Sequence, residues 1–495
     1  MAKEYLNYIA GEWVPADSGE WFENRNPAHW DELVGLFPKS GTAEVDRAVA
    51  AAKEAWKTWR LVPAPERGAI LKTAGDIMVE RKEEIATLMT REMGKVLTET
   101  RGDTQEGIDT FYYAAVEGRR LFSHTAPSEM RNKMNMSFRI PIGVAGLITP
   151  WNFPMAIPCW KSLPALVCGN TVVFKPASDT PATATVLVEI LLEAGIPPGV
   201  INIVHGGGGV VGNRIVNHPD VSLISFTGSS EIGKQINSLA GADLKRVSLE
   251  LGGKNAQIVM DDADLDLALE GVLWGAFGTT GQRCTATSRL ILHEKIHDKF
   301  VKMLVKAADK LVVGDGLDEK NKVGPCINEG QRNIVDEYVQ IGKAEGAKLR
   351  CGGEPSTEGK NSEGWFYKPT VFTGVTPKMR IFKEEIFGPV LSVIKVKDFD
   401  DAVKVHNDCL YGLSSSIYTR DVNNSFRAIR DLEAGITYVN GPTIGAECHM
   451  PFGGVKQTGN GHREGGWPVY EFYSEIKTVY VDYSGQLQRA QIDNY

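Results

Sequence analysis

After a short β-rich start, apolar residues recur at helical spacing through the first third of the chain. Val45, Ala48, Val49, Ala52 and Trp56 predict an amphipathic helix over Ala43–Trp59, capped by Thr42. Similar spacing predicts helices near 65–80, 82–96 and 102–121. Ser128–Ile140 loses that period and predicts a strand pair. From Gly143 to Leu251 short β-branched runs (Val144–Thr149, Thr171–Lys175, Val200–Val204, Ser222–Thr227) alternate with helical stretches. One of these, 181–194, is opened by Pro181 and closed by Gly195. Such alternation builds βαβ units around a parallel sheet, with ligands at the carboxyl ends of the strands. A second α/β block, from about 255 to 440, holds helices over Asp264–Phe277, 293–312 and Phe399–Asp408 and a strand at Val390–Val396. The last strand-like run, Ile476–Tyr483, is expected to pair with the 128–140 region of its own or a neighbouring chain.

A chain of 495 residues exceeds one core and divides into two or three domains at roughly 100–200 residues each. With 54 Lys+Arg against 62 Asp+Glu and no basic block, it is poorly suited to nucleic acid or an anionic membrane. Its seven cysteines are scattered and form no C-x-x-C pair, which indicates neither a metal site nor a disulfide framework and fits a reducing cytoplasm. The N-terminus carries Glu4 and Glu12 and no apolar stretch of the kind a signal peptide needs. The most apolar region, around 142–174, is interrupted by Asn152, Lys161, Asn170 and four prolines, so no membrane span is expected.

Five segments bear chemistry. Gly207, Gly209 and Gly212 satisfy G-x-G-x-x-G after a strand, which suits either a pyrophosphate-approaching turn or a flexible βα loop. Phe226-Thr227-Gly228-Ser229-Ser230 ends a strand and opens a helix, leaving N–H groups and hydroxyls for an anion. Cys284 follows Thr279-Thr280-Gly281-Gln282-Arg283; it is either an accessible thiol, its thiolate favoured by Arg283, or a buried structural cysteine. Glu250 precedes two glycines and is either a desolvated base or a helix-terminus anchor. Asn152, between Pro150 and Pro154, is either an oxyanion donor or a turn residue.

In this order the segments resemble the aldehyde dehydrogenase superfamily over nearly the whole chain. The resemblance rests on Pro150-Trp151-Asn152-Phe153-Pro154, Phe174-Lys175-Pro176-Ala177, Phe226-Thr227-Gly228-Ser229, Glu250-Leu251-Gly252-Gly253-Lys254 and Gly281-Gln282-Arg283-Cys284. Glu384-Glu385-Ile386-Phe387-Gly388-Pro389 and Pro451-Phe452-Gly453-Gly454-Val455-Lys456 complete it. It implies an α/β fold of two doubly wound parallel-sheet domains, one Rossmann-like and cofactor-binding, one catalytic, plus a small β oligomerisation domain. The implied boundaries are 1–121 with 142–252 for the cofactor, 253–454 for catalysis, and 122–141 with 475–495 for oligomerisation into a homodimer or homotetramer. The implied reaction is oxidation of an aldehyde to its acid. Cys284 is the nucleophile, Asn152 and the Cys284 N–H form the oxyanion hole, and Glu250 activates the water that hydrolyses the thioester. The glutamate at 250 disfavours the alternative, a CoA-acylating enzyme. The presence of both nucleophile and base disfavours a non-enzymatic scaffold protein, and ester cleavage is expected as a side reaction.

For the cofactor, the resemblance implies Lys175 on the adenosine ribose, Ser229 on the pyrophosphate, Gly208 and Gly212 on the adenine side, and the Leu251 carbonyl on the carboxamide. Glu385 and Phe387 take the nicotinamide ribose and ring, and Thr149, Pro150, Trp151, Phe226, Thr227 and Gly228 complete the groove. NAD-preferring members often carry a glutamate three residues after the lysine; Ser178 stands there, so NADP as well as NAD is expected. The Cys284 segment is similar to that of semialdehyde-oxidising branches, which implies a carboxylated aldehyde; Arg283 either meets its carboxylate tail or points away into a structural ion pair. Thr285, Trp160, Phe452 and Met155 are further candidates for the substrate wall, and no metal is implied.

Overall fold

In the computed structural model, which describes residues 3–493, two seven-stranded sheets and a three-stranded sheet organise the chain. The first has the order Arg246–Glu250, Val221–Thr227, Val144–Ile148, Thr171–Lys175, Ile201–Ile203, Asn7–Ile9, Glu12–Val14. Its first five strands run parallel; the two N-terminal ones join antiparallel. Val144–Ile148 and Thr171–Lys175 are buried at every position, as β-branched runs covered on both faces must be. Because successive strands leave Val144–Ile148 in opposite directions, a crevice opens beyond its carboxyl end, at Thr149–Pro154.

The second sheet has the order Lys348–Cys351, Thr370–Thr373, Val390–Val396, Thr287–His293, Asn255–Val259, Ser414–Tyr418, Ile436–Val439, parallel except for its first strand. The third pairs Ser474–Asp482 antiparallel with Lys133–Pro141 of the same chain, and that strand with Thr125–Pro127. The last strand thus meets the expected region within one chain. Residues 494 and 495, part of the expected oligomerisation segment, lie outside the described residues. Phe138, Ile476 and Tyr480 on this sheet are exposed.

Element boundaries shift for local reasons. The first helix spans Thr42–Trp59, and Gly41 rather than Thr42 is its cap: the Glu44 carboxylate reaches back to accept the Gly41 N–H at 2.8 Å. The helix expected from 102 begins at Leu97, with Gly102 inside it. The helix expected over 293–312 is Glu294–Ala308, and Val313 pairs with Val323 instead of continuing it. Among the described residues, no helix is long and apolar enough to cross a membrane.

Candidate active site

Ala156–Val167 starts just after the crevice loop, and Asp103 fixes its entry. One Asp103 oxygen accepts the Ala156 N–H at 2.8 Å, and the other pairs with the Lys95 ammonium at 2.6 Å, both side chains fully buried. The Lys95 ammonium lies 3.7 Å from the centre of the Phe153 ring, so the loop carrying Asn152 is held from beneath. The buried Asn152 amide donates to the Gln282 carbonyl at 3.0 Å; an amide nitrogen has two N–H groups, and the second remains for a ligand.

Cys284 follows a tight backbone passage. Thr279, Thr280 and Gly281 have φ of 52°, 57° and 68°, the left-handed region, which costs each threonine about 1–3 kcal/mol. Asn255 donates to the Cys284 carbonyl at 2.7 Å and to that of Ala286 at 2.9 Å. A Cβ at Gly253 would come within 2.3 Å of the Cys284 oxygen, so the second glycine after Glu250 is required by contact. Burial, and then the Glu250 and Glu385 carboxylates, push the Cys284 thiol up. Arg283 does not favour the thiolate as expected: its Nε donates to Thr279 Oγ1 at 2.8 Å and its Nη2 to Glu99 at 3.3 Å.

Glu250 ends its strand buried, and neither carboxylate oxygen has a hydrogen-bond partner. Burial raises its pKa well above the ordinary carboxylate range; Glu464 adds to the rise, and Lys161 opposes it. Lys161 itself bonds Ser225 at 2.8 Å and Glu464 in a buried pair. A Cβ at Gly453 would stand 2.5 Å from a Glu250 oxygen, so the Phe452-Gly453 backbone covers this carboxylate closely.

Cys284, Glu250 and Glu464 line a chamber. Trp160 and Phe452, with ring centres 4.8 Å apart, form an apolar wall; Arg283, Thr285 and Glu106 lie on it as well. Burial, reinforced by Asp103, raises Glu106 to about 8. Met155 is not on the wall: it is fully buried in the core between Gly107 and Cys159.

A second cavity, a groove, adjoins the first and shares Cys284. Pro150, Trp151, Asn152, Thr227, Gly228, Ser229, Leu251, Glu385 and Phe387 line it. The Glu385 carboxylate accepts the Gly253 N–H at 2.9 Å and lies where a Cβ on Gly252 would be 2.3 Å away; burial raises it to about 7. Gln331 donates to the Ile386 and Phe387 carbonyls, holding Phe387 at φ 56° with its ring edge-on to Trp151. Ser229 caps the helix Ser230–Ala242, accepting the Ile232 N–H at 3.4 Å. Phe226 does not join the groove; its ring packs beneath Gly228 in the core.

Lys175 ends its strand with its ammonium on the Pro176 carbonyl at 2.7 Å, lowered to about 8 by burial. Gly212 packs beside its Cδ, and nothing approaches Gly208. Ser178 donates to the Gly206 carbonyl at 3.3 Å. The Thr227 hydroxyl on the groove is buried without a partner; Thr149, expected to complete the groove, is not among its lining residues. A groove with an orphan hydroxyl and a cradled carboxylate, together with bare glycines beside the lysine that ends a neighbouring strand of the same sheet, fits a dinucleotide.

Sequence reasoning missed Lys161, Ser225, Glu464, Glu106, Gln331 and Asn255. One signal was available: Lys161 is the lone charge in the otherwise apolar helix Ala156–Val167.

The aldehyde dehydrogenase family model matches residues 13–479. The chain is 44% identical to the alpha-ketoglutaric semialdehyde dehydrogenase of Bacillus subtilis, over 96% of this chain and 98% of that one. It is 41% identical to the NADP(+) succinate-semialdehyde dehydrogenase of Escherichia coli, over 96% and 97%. Among solved structures, the NAD-dependent aldehyde dehydrogenase of Sinorhizobium meliloti superposes with a TM-score of 0.96 at 37% identity, covering 99% and 97%. The betaine aldehyde dehydrogenase of Staphylococcus aureus in complex with NAD+ gives 0.95 at 33% identity, covering 98% and 95%.

Proposed function

The chain belongs to the aldehyde dehydrogenase family, NAD(P)-dependent enzymes that oxidise aldehydes to carboxylic acids, and from that premise we propose how its residues share the work. The observation that carries the reading is that Cys284 lies on the wall of both the chamber and the groove. An aldehyde in the chamber meets the sulfur on one side, and a ligand in the groove faces the same carbon from the other. The Cys284 thiolate attacks the carbonyl carbon and forms a C–S bond. The free Asn152 N–H and the Cys284 backbone N–H hold the oxyanion of this thiohemiacetal. The cofactor, when bound, supplies the hydride acceptor. Collapse of the oxyanion with loss of hydride leaves a thioester on Cys284. Glu250 takes a proton from water, whose oxygen attacks the acyl carbon; the C–S bond breaks, and acid and thiolate separate.

For the cofactor, Glu385 and Phe387 hold the nicotinamide end, Ser229 and Thr227 the pyrophosphate, and Lys175 with Gly208 and Gly212 the adenosine end. Ser178 presents no carboxylate to a 2′-phosphate, and the Asp179 carboxylate is occupied by Asn328 at 3.0 Å. NADP is therefore accepted alongside NAD. Ser178→Glu is expected to shift the ratio of kcat/KM values toward NAD by at least about tenfold, through repulsion of the phosphate. Steady-state kinetics with both cofactors checks this; an unchanged ratio would place the 2′ position elsewhere.

For the substrate, Arg283 on the chamber wall, its Nε and Nη2 engaged by Thr279 and Glu99, and the two semialdehyde-oxidising relatives support a carboxylated semialdehyde. On a panel of ω-carboxylated and neutral aldehydes, Arg283→Ala should lower the preference for the carboxylated ones by about tenfold or more, the worth of one charge-assisted hydrogen bond. Equal losses on both kinds would refute tail recognition by Arg283. The apolar side chains exposed on the three-stranded sheet support association with further copies of the chain.

A further inference from the structure

Resting on the reading of Cys284 as nucleophile, we infer that Glu99 is a positioning residue which, with Arg283, clamps the left-handed turn Thr279–Gly281 and thereby aims Cys284. Two of the three residues in this turn are β-branched and poorly suited to positive φ; Gly281 alone adopts it freely. Gly281 also has no room for a side chain, since a Cβ would lie 2.2 Å from the Gly388 carbonyl. Left to itself, Thr279-Thr280 relaxes toward negative φ.

What holds it is a closed ring of bonds. The Thr279 N–H donates to Glu99 Oε1 at 2.7 Å, Arg283 Nε donates to Thr279 Oγ1 at 2.8 Å, and Arg283 Nη2 returns to Glu99 Oε1 at 3.3 Å. The guanidinium is further held against the rings of Phe153 and Trp274, 5.3 and 5.2 Å from their centres. Glu99 is buried in the first turn of Leu97–Glu117, so the clamp comes from a helix 180 residues earlier in the chain. Thr280 Oγ1 on the Gly324 carbonyl and Gln282 on the Pro325 carbonyl secure the far side. Cys284 follows Arg283 directly, and the Gln282 carbonyl that orients Asn152 belongs to the same stretch. Release of the turn moves nucleophile and oxyanion donor together, while the chamber walls from Ala156–Val167 stay in place.

The test is Glu99→Ala, with kcat expressed per active site from the acyl-enzyme burst. Expected on neutral aldehydes, which have no tail carboxylate for Arg283, is a fall of about tenfold to a hundredfold with KM unchanged. Glu99→Ala combined with Thr279→Gly should regain most of it, because glycine holds positive φ unaided. Glu99→Gln, which keeps the acceptor for Thr279 but loses the charge facing Arg283, carries the same test if the alanine variant does not fold. An unchanged kcat per site, a loss confined to KM or to carboxylated aldehydes, or no rescue by glycine overturns the clamp. Cys284→Ala in parallel separates the two readings, since retained oxidation there would refute the nucleophile and leave the clamp without its object.

Discussion

Replacing Cys284 by alanine is expected to lower aldehyde oxidation by on the order of 10⁴-fold or more, with cofactor binding and fold intact. The sulfur borders both cavities, and the side chain reaches them from a backbone fixed by Asn255, so alanine removes the attacking atom and leaves the frame. The same variant should lose ester cleavage, which needs the nucleophile but no hydride acceptor. Because burial and two carboxylates push the thiol up, alkylation of Cys284 in the ligand-free enzyme should quicken steadily as pH rises. Oxidation and ester cleavage at wild-type rates in Cys284→Ala would refute covalent catalysis at this position.

Glu250→Gln is the second large effect, an expected loss of about 10²–10⁴-fold in kcat with thioester accumulating after one turnover. The first turnover should still release reduced cofactor as a burst, since attack and hydride loss precede the step that needs the base. The sign of the pH dependence follows from the cause of the shift. A base works ionised, and burial and Glu464 both favour the protonated acid, so kcat should fall on the acid side from a pH above the ordinary carboxylate range. Glu464→Gln removes the second cause and leaves the Lys161 cation facing Glu250, which moves that limb to lower pH. A burst that vanishes along with steady turnover in Glu250→Gln would assign the residue to an earlier step.

Much of this was legible in the chain itself. Thr171–Lys175 and Val390–Val396 stood out because a strand buried on both faces is largely a run of apolar residues; Asn152 and Glu250 sit where such strands end, whereas Cys284 lies in the turn just before Thr287–His293. Lys161 and Glu464 were not legible. They are 303 positions apart, and neither their spacing nor their neighbours state that they pair. The positive φ of Thr279 and Thr280 was equally hidden, since β-branched residues argue against that conformation and only the distant Glu99 explains it. Thr42 was misread as a cap because the true cap, Gly41, has no side chain and borrows its carboxylate from Glu44.

The antiparallel pairing of Ser474–Asp482 with Lys133–Pro141 also bears on how the enzyme is made. A ribosome exports the inner strand of that sheet long before its mate, and the sheet edge waits open while two large units collapse around their own cores. Glu464 arrives in the same late stretch. The nascent polypeptide therefore holds Cys284 and Glu250 well before it holds the Glu464 carboxylate that acts on Glu250, and the site is complete only once residues 464–482 have been made.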